Sequence, residues 1–127
     1  MNLNQVTLAV DDMGKAVDFY LALGFTLIVD TAHYTRFSCP EGDSTFSLSL
    51  AEQKIKNSTV IYFEHEDLEQ WVAMIQSRGI EIKQFPKMES YLWKEAIVED
   101  PSGNKIKLYW AGQNRKSPPW KVEKYYV

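Results

Sequence analysis

Few side chains in this sequence combine in a way that supports covalent or metal chemistry. Histidine occurs only at His33 and His65 and cysteine only at Cys39, and neither a Ser/His/Asp grouping nor a glycine-rich phosphate loop accompanies them. Cys39 stands between Ser38 and Pro40, which offer none of the positive charge that makes a thiol nucleophilic, so it reads as a structural thiol. His65 shares the alternation of Ile61 and Phe63 and reads as a structural histidine facing the helix layer; His33 reads as loop or strand edge beside Tyr34. What remains is chemistry of recognition: opposite charges at Glu64 and Lys107, the amide of Gln5, and rings at Tyr62, Trp93 and Tyr109. Aromatic faces stack on planar rings or cations, and a few polar groups among them fix a ligand's orientation.

Those residues need elements to position them, and the hydrophobic spacing supplies a repeated set. Residues 3–10 alternate as a strand. Asp12 then caps a helix whose Met13, Ala16, Val17 and Tyr20 fall on one face, and Gly24 supplies the left-handed residue that ends it. Shifted by 55 residues, Asp12 meets Asp67, Met13 meets Leu68, Ala16 meets Trp71, Val17 meets Val72, Tyr20 meets Ile75 and Gly24 meets Gly79. The preceding strand matches as well, with Val6, Leu8 and Val10 over Ile61, Phe63 and His65; the following one sets Phe25 and Leu27 over Ile80 and Ile82. Further strands are predicted at Tyr34 to Ser38 and Thr45 to Leu50 in the first half, and at Tyr91 to Glu99 and Lys105 to Trp110 in the second, the last pair joined by the turn Asp100-Pro101-Ser102-Gly103-Asn104. The order is βαβββ, twice: an α+β fold of tandem modules forming a curved mixed sheet. Residues 1–50 form the first module, 51–58 a polar linker, 59–110 the second module, and 111–127 a C-terminal strap with Trp120 as anchor. Units this small bury a helix and sheet poorly alone, so the two are expected to share a core as one domain.

This arrangement, with LAVDDMGKAVDFYLALGF in the first half and EDPSGNKIKLYW closing the second, resembles the vicinal oxygen chelate superfamily, that is, the glyoxalase, bleomycin resistance and extradiol dioxygenase family. The most specific pieces are Phe19, Tyr20, Leu23, Gly24 and Phe25 at the end of the first helix and Asp100, Pro101, Gly103 and Asn104 in the turn. The resemblance implies a cup of curved sheet in which the family's enzymes hold a divalent metal through His or Gln on the first strand of each half and Glu on the last. The matching positions here are Gln5, Val60, Ser47 (or Ser49 two residues on) and Lys107. Only Gln5 is a ligand type the family uses. An isopropyl, a hydroxyl and a protonated amine do not replace imidazole and carboxylate around a divalent ion, so neither a metal nor another cofactor is expected.

Strand parity places Val6, Leu8, Val10, Ile61, Phe63, Ile106 and Leu108 toward the helices. Gln5, Thr7, Val60, Tyr62, Glu64, Lys105, Lys107 and Tyr109 then face the cup, with Ser47 and Ser49. Gln5, Tyr62, Glu64, Trp93, Lys107 and Tyr109 form the expected ligand site, with Lys107 either countering an anion or pairing with Glu64. The implied function is a metal-free homodimeric binding protein of the bleomycin-resistance type that sequesters an aromatic or cationic small molecule, as in antibiotic resistance. Two alternatives stay open: a lyase, isomerase or dioxygenase-like enzyme of the same superfamily, using either an unrecognised metal site or Glu64 as base with Lys107 as electrophile, and a non-catalytic regulatory or structural module. Composition narrows the setting. With net charge −3 and interspersed signs over 127 residues, no nucleic-acid footprint is expected. No apolar run is long enough to span a bilayer, no basic segment and apolar core open the chain, and a lone cysteine fits a reducing cytosol, so a cytoplasmic protein is expected.

Overall fold

In the computed structural model, which describes residues 1–53 and 56–126, the chain forms two βαβββ modules. Lys54 and Ile55 of the expected linker and Val127 of the strap lie outside the described residues. The first module contains β1 (Gln5–Val10), α1 (Met13–Leu23), β2 (Thr26–Asp30), β3 (Tyr34–Ser38) and β4 (Thr45–Leu50); the second contains β5 (Val60–Glu64), α2 (Leu68–Ser77), β6 (Gln84–Met88), β7 (Lys94–Glu99) and β8 (Lys105–Trp110). Each module is a four-stranded sheet, in the orders β1-β4-β3-β2 and β5-β8-β7-β6. In both, the first strand pairs parallel with the last and the remaining pairs are antiparallel. Pairing of Val6, Leu8 and Val10 with Phe46, Leu48 and Leu50 puts one apolar row against α1.

Both helices start where the spacing predicts. Asp12 accepts the Lys15 amide at 3.0 Å and Asp67 accepts that of Gln70 at 3.2 Å, each satisfying one unpaired N–H of a first turn. Gly24 ends α1 at φ 114°, a backbone that a side chain would strain. The next strand of the second module departs from expectation. Ile80 is buried as predicted, but the ladder begins only at Gln84, opposite Ile97, so residues 80–82 are a connector. Likewise β7 starts at Lys94 and not at Tyr91. Tyr91, Leu92 and Trp93 belong to the β6–β7 turn, which closes through the Glu89 amide on the Trp93 carbonyl at 2.8 Å and holds Leu92 at φ 70°. This left-handed leucine is strained, and it sets the two flanking aromatics onto the sheet. Trp120, the expected anchor of the strap, is 56% exposed in the single chain.

One core serves both modules. Phe63 of β5 packs on Phe25 and Phe46 of the first module, with ring centroids 4.4 and 5.3 Å apart. Two tethers cross at the helix ends: Trp71 Nε1 donates to the Leu23 carbonyl and Arg78 Nη1 to that of Ala22, both at 2.9 Å. These are carbonyls of the last turn of α1, which have no partner within the helix. Trp71→Phe keeps an aromatic ring but orphans the Leu23 carbonyl, and is expected to lower unfolding free energy by about 1–2 kcal/mol; a change below about 0.5 kcal/mol in urea denaturation would show that the tether is immaterial. His65 stacks on Trp71 at 5.2 Å and its Nδ1 accepts the Asp67 amide at 2.9 Å, a structural role on the helix side.

The Asp100–Asn104 turn also clasps the first module. Asp100, 4% exposed, accepts from the Tyr20 hydroxyl at 2.8 Å, the Asn104 side-chain amide at 2.9 Å and the backbone amides of Ser102 and Asn104 at 3.0 and 2.8 Å. Asn104 Nδ2 also reaches the Ala9 carbonyl on β1 at 2.9 Å. Burial, then the charge of Asp100 and the hydrogen bond to it, push the Tyr20 hydroxyl far above the ordinary tyrosine range.

Candidate functional site

The faces turned away from the helices differ in character. On the first module's sheet, Gln5, Thr7 and Ala9 of β1 lie beside Thr45, Ser47 and Ser49 of β4, which lie beside Ser38, Arg36 and Tyr34 of β3. This is a polar, hydroxyl-rich surface. Gln5 Nε2 donates to Ser47 Oγ at 2.7 Å, and Gln5 Oε1 accepts from the Thr45 hydroxyl. Ser47 is buried and meets the Tyr34 hydroxyl at 2.6 Å; Arg36 Nε and Nη2 donate to that same phenol oxygen at 3.1 and 3.0 Å. The bond from Ser47 and then those from Arg36 lower the Tyr34 hydroxyl from its ordinary value of 10.0.

The second module's face is aromatic around one ion pair. Register sets Tyr62 of β5 beside Lys107 of β8, and Glu64 beside Tyr109. Trp93, delivered by the β6–β7 turn, stacks on Tyr109 at 4.8 Å and 17° and meets Tyr62 edge-on at 5.8 Å. Lys107 Nζ lies 3.1 Å from Glu95 Oε1 and 5.4 Å from the Tyr62 ring centroid. The expected partnership of Lys107 with Glu64 is therefore corrected: Glu95 takes the ammonium. Both residues are on this face, but Glu95 comes from the antiparallel neighbour β7, where Ile97 is opposite Lys107, and its carboxylate reaches the amine diagonally. Burial opposes the charge on Lys107, yet the hydrogen bond and charge of Glu95 outweigh it and hold the amine above its ordinary 10.5. Tyr91 donates to the same carboxylate oxygen at 2.6 Å, and burial together with that bond pushes its hydroxyl up to about 12. Tyr109 is likewise raised, by burial and then by the charge of Glu64 beside it.

Of the six expected site residues, Tyr62, Trp93, Lys107 and Tyr109 form this cluster and Glu64 flanks it. Glu64 is exposed and, among the described residues, has no cationic side chain within ion-pair distance. Gln5 stands apart on the other sheet. It shares with Tyr62 and Glu64 only an open cleft of about 900 Å³ along the seam, whose walls also include Phe25, Phe63 and Met74. Sequence reasoning missed Glu95, Tyr34 and Arg36. The alternation that put Tyr91 and Trp93 on one face, extended by two residues, reaches Glu95; Arg36 has the parity of Tyr34 within a predicted strand.

The positions at which the resemblance implies a metal fail a test of donor chemistry. Gln5 and Ser47 hydrogen-bond to each other, Val60 has no donor atom, and Lys107 is a cation already paired with Glu95. A divalent ion would meet an ammonium where it needs an anionic oxygen. Among the described residues no cluster of His, Cys, Asp or Glu side chains is arranged to hold a metal elsewhere, and no helix is long and apolar enough to cross a membrane.

Comparison with known proteins agrees with this architecture. No curated protein matches the sequence. A glyoxalase/bleomycin resistance protein from Streptomyces sp. CB03234 is 26% identical with a TM-score of 0.69, the match covering 85% of this chain and 100% of that one. A glyoxalase/bleomycin resistance protein/dioxygenase from Nocardioides superposes with a TM-score of 0.75 at 17% identity, over 97% and 90% of the two chains. A bleomycin-binding protein, solved in complex with bleomycin, shares the fold at 18% identity with a TM-score of 0.71, over 86% of this chain and 98% of that one. The family model of the glyoxalase/bleomycin resistance protein/dioxygenase superfamily matches residues 2–108, and with both modules thus accounted for, the chain belongs to that superfamily.

Proposed function

We propose that this protein binds a flat, cationic aromatic small molecule without metal and without chemical change. The observation that carries this reading is at position 107, where the family's metal site calls for an acid: an ammonium held by buried Glu95 lies 5.4 Å from the ring of Tyr62, which meets Trp93 and Tyr109 edge-on. Tyr62 is 43% exposed, so the cluster offers ring surface to a ligand, and Glu64 at its edge is an unpaired carboxylate for a positive group. Stacking on such rings contributes about 0.5–2 kcal/mol per contact. Glu95 offsets the charge of Lys107, so the pair does not repel a cation, and Gln5 lies across the open cleft on the other sheet. A bleomycin-binding protein of this fold makes sequestration of an antibiotic the specific form of the proposal, and we propose the acting species as a homodimer in the cytoplasm.

The test is a tryptophan-fluorescence titration with planar cationic aromatics, bleomycin among them, on protein purified without chelator and assayed for bound metal. Saturable quenching by at least one ligand is expected, and Trp93→Ala should weaken it roughly 2- to 30-fold, the range that 0.5–2 kcal/mol implies. Stoichiometric zinc, manganese, nickel or iron, or binding indifferent to Trp93→Ala, would defeat the reading. Light scattering at micromolar concentration tests the dimer.

A further inference from the structure

We infer that the first module's sheet carries an oxyanion-binding site of its own, built on the guanidinium of Arg36 and taking a carboxylate or phosphate group. The site shares no side chain with the aromatic cluster of Tyr62, Trp93 and Tyr109, which stands on the other sheet. Its first support is electrostatic. Arg36 is the only charged side chain that β1, β4 and β3 place on that face, where its neighbours in register are Ser47 and, one strand further, Thr7. Among the described residues no carboxylate lies within ion-pair distance of it. Among the described residues, Arg36 is thus a half-buried cation whose side-chain hydrogen bonds go only to the neutral Tyr34 hydroxyl.

The second support is geometric. Tyr34 Oη receives Nε at 3.1 Å and Nη2 at 3.0 Å, which occupies one side edge of the planar guanidinium. A guanidinium has five N–H groups in a rigid fork. The Tyr34 contact uses two and leaves the end-on pair formed by Nη1 and the second hydrogen of Nη2, whose parallel directions match the two oxygens of a carboxylate or phosphate. Tyr34 is in turn held by Ser47, and Ser47 by Gln5, at 2.6 and 2.7 Å. The guanidinium is therefore oriented before any ligand arrives, which reduces the ordering cost of binding. The hydroxyls of Thr7 and Ser49, both exposed on the same face, are available to further oxygens of the anion.

Calorimetry and NMR of the arginine side-chain N–H groups, with inorganic phosphate and with benzoate at constant ionic strength, test the site. Saturable heat from at least one probe is expected, with shifts in the Arg36 resonances; phosphate against benzoate then distinguishes a tetrahedral from a planar preference. Arg36→Gln should abolish binding. Arg36→Lys keeps the charge but loses the fork, and should weaken binding about tenfold; it decides the matter if the glutamine variant fails to fold. Trp93→Ala should leave oxyanion affinity unchanged, so this site and the aromatic reading can fail separately. Absence of heat and shift with both probes at millimolar concentration would overturn the inference, as would equal affinity in the wild type and the lysine variant.

Discussion

Replacing Lys107 with alanine is expected to destabilise the protein by about 3–5 kcal/mol, the range for removing one partner of a buried ion pair. The magnitude follows from what is left behind. Side-chain exposure is 17% for Lys107 and 2% for Glu95, and Glu95 Oε2 already has no hydrogen-bond partner. Without the ammonium, the buried carboxylate would keep only the Tyr91 hydroxyl. The double variant Lys107→Met with Glu95→Leu removes both charges and should recover most of the loss, because a buried pair replaced by apolar side chains of similar size is often neutral. The lysine's folded value lies above its ordinary 10.5, so its contribution is complete at neutral pH and is lost as pH rises through that folded value. Urea denaturation of the two variants and the wild type closes the cycle. A single-variant loss below about 1 kcal/mol would show that water, and not Lys107, compensates Glu95.

Asp100→Ala is expected to cost about 3–4 kcal/mol, because charge-assisted hydrogen bonds contribute roughly 1.5–3 kcal/mol each and do not add fully. Four donors converge on this carboxylate, among them the buried hydroxyl of Tyr20 on α1 of the other module. Alanine strands all of them and frees Asn104, whose amide holds the Ala9 carbonyl. Tyr20→Phe removes a single donor and leaves Asp100 three others, so a smaller loss of about 1–2 kcal/mol is expected. Because the clasp joins the modules, hydrogen exchange in Asp100→Ala should quicken at β1 and at the Asp100–Asn104 turn before it does in β7. Uniform quickening across both modules would mean that the turn is only one part of an undivided core.

Much of this was legible in the residues. The offset of 55 positions located both helices with their caps, and period-two alternation placed Gln5, Tyr62, Glu64, Lys107 and Tyr109 on the faces where they lie. Local backbone geometry governs both signals, since successive side chains of a strand alternate whatever the strand is paired with. The failures share another origin. Glu95 displaced Glu64 as the partner of Lys107 because pairing depends on which strand lies alongside and at what register, and β8 has β5 on one side and β7 on the other. Tyr91 and Trp93 alternate as a strand would, yet the turn fixed by Leu92 at φ 70° takes them out of the ladder.

By itself, then, the sequence determined the two modules, the face each strand residue occupies, the turn at Asp100–Asn104 and the replacement of three of the four positions where the family places metal donors, all of which rest on residue type and short-range spacing. Only the tertiary structure decided that Lys107 answers to Glu95, that Trp93 lies flat on Tyr109, and that Arg36 is held by Tyr34 with its fork left open. Each of these joins side chains from different strands or from a strand and a turn. The energy of such contacts depends on distances that are fixed when the chain folds back on itself, and period and propensity do not encode them.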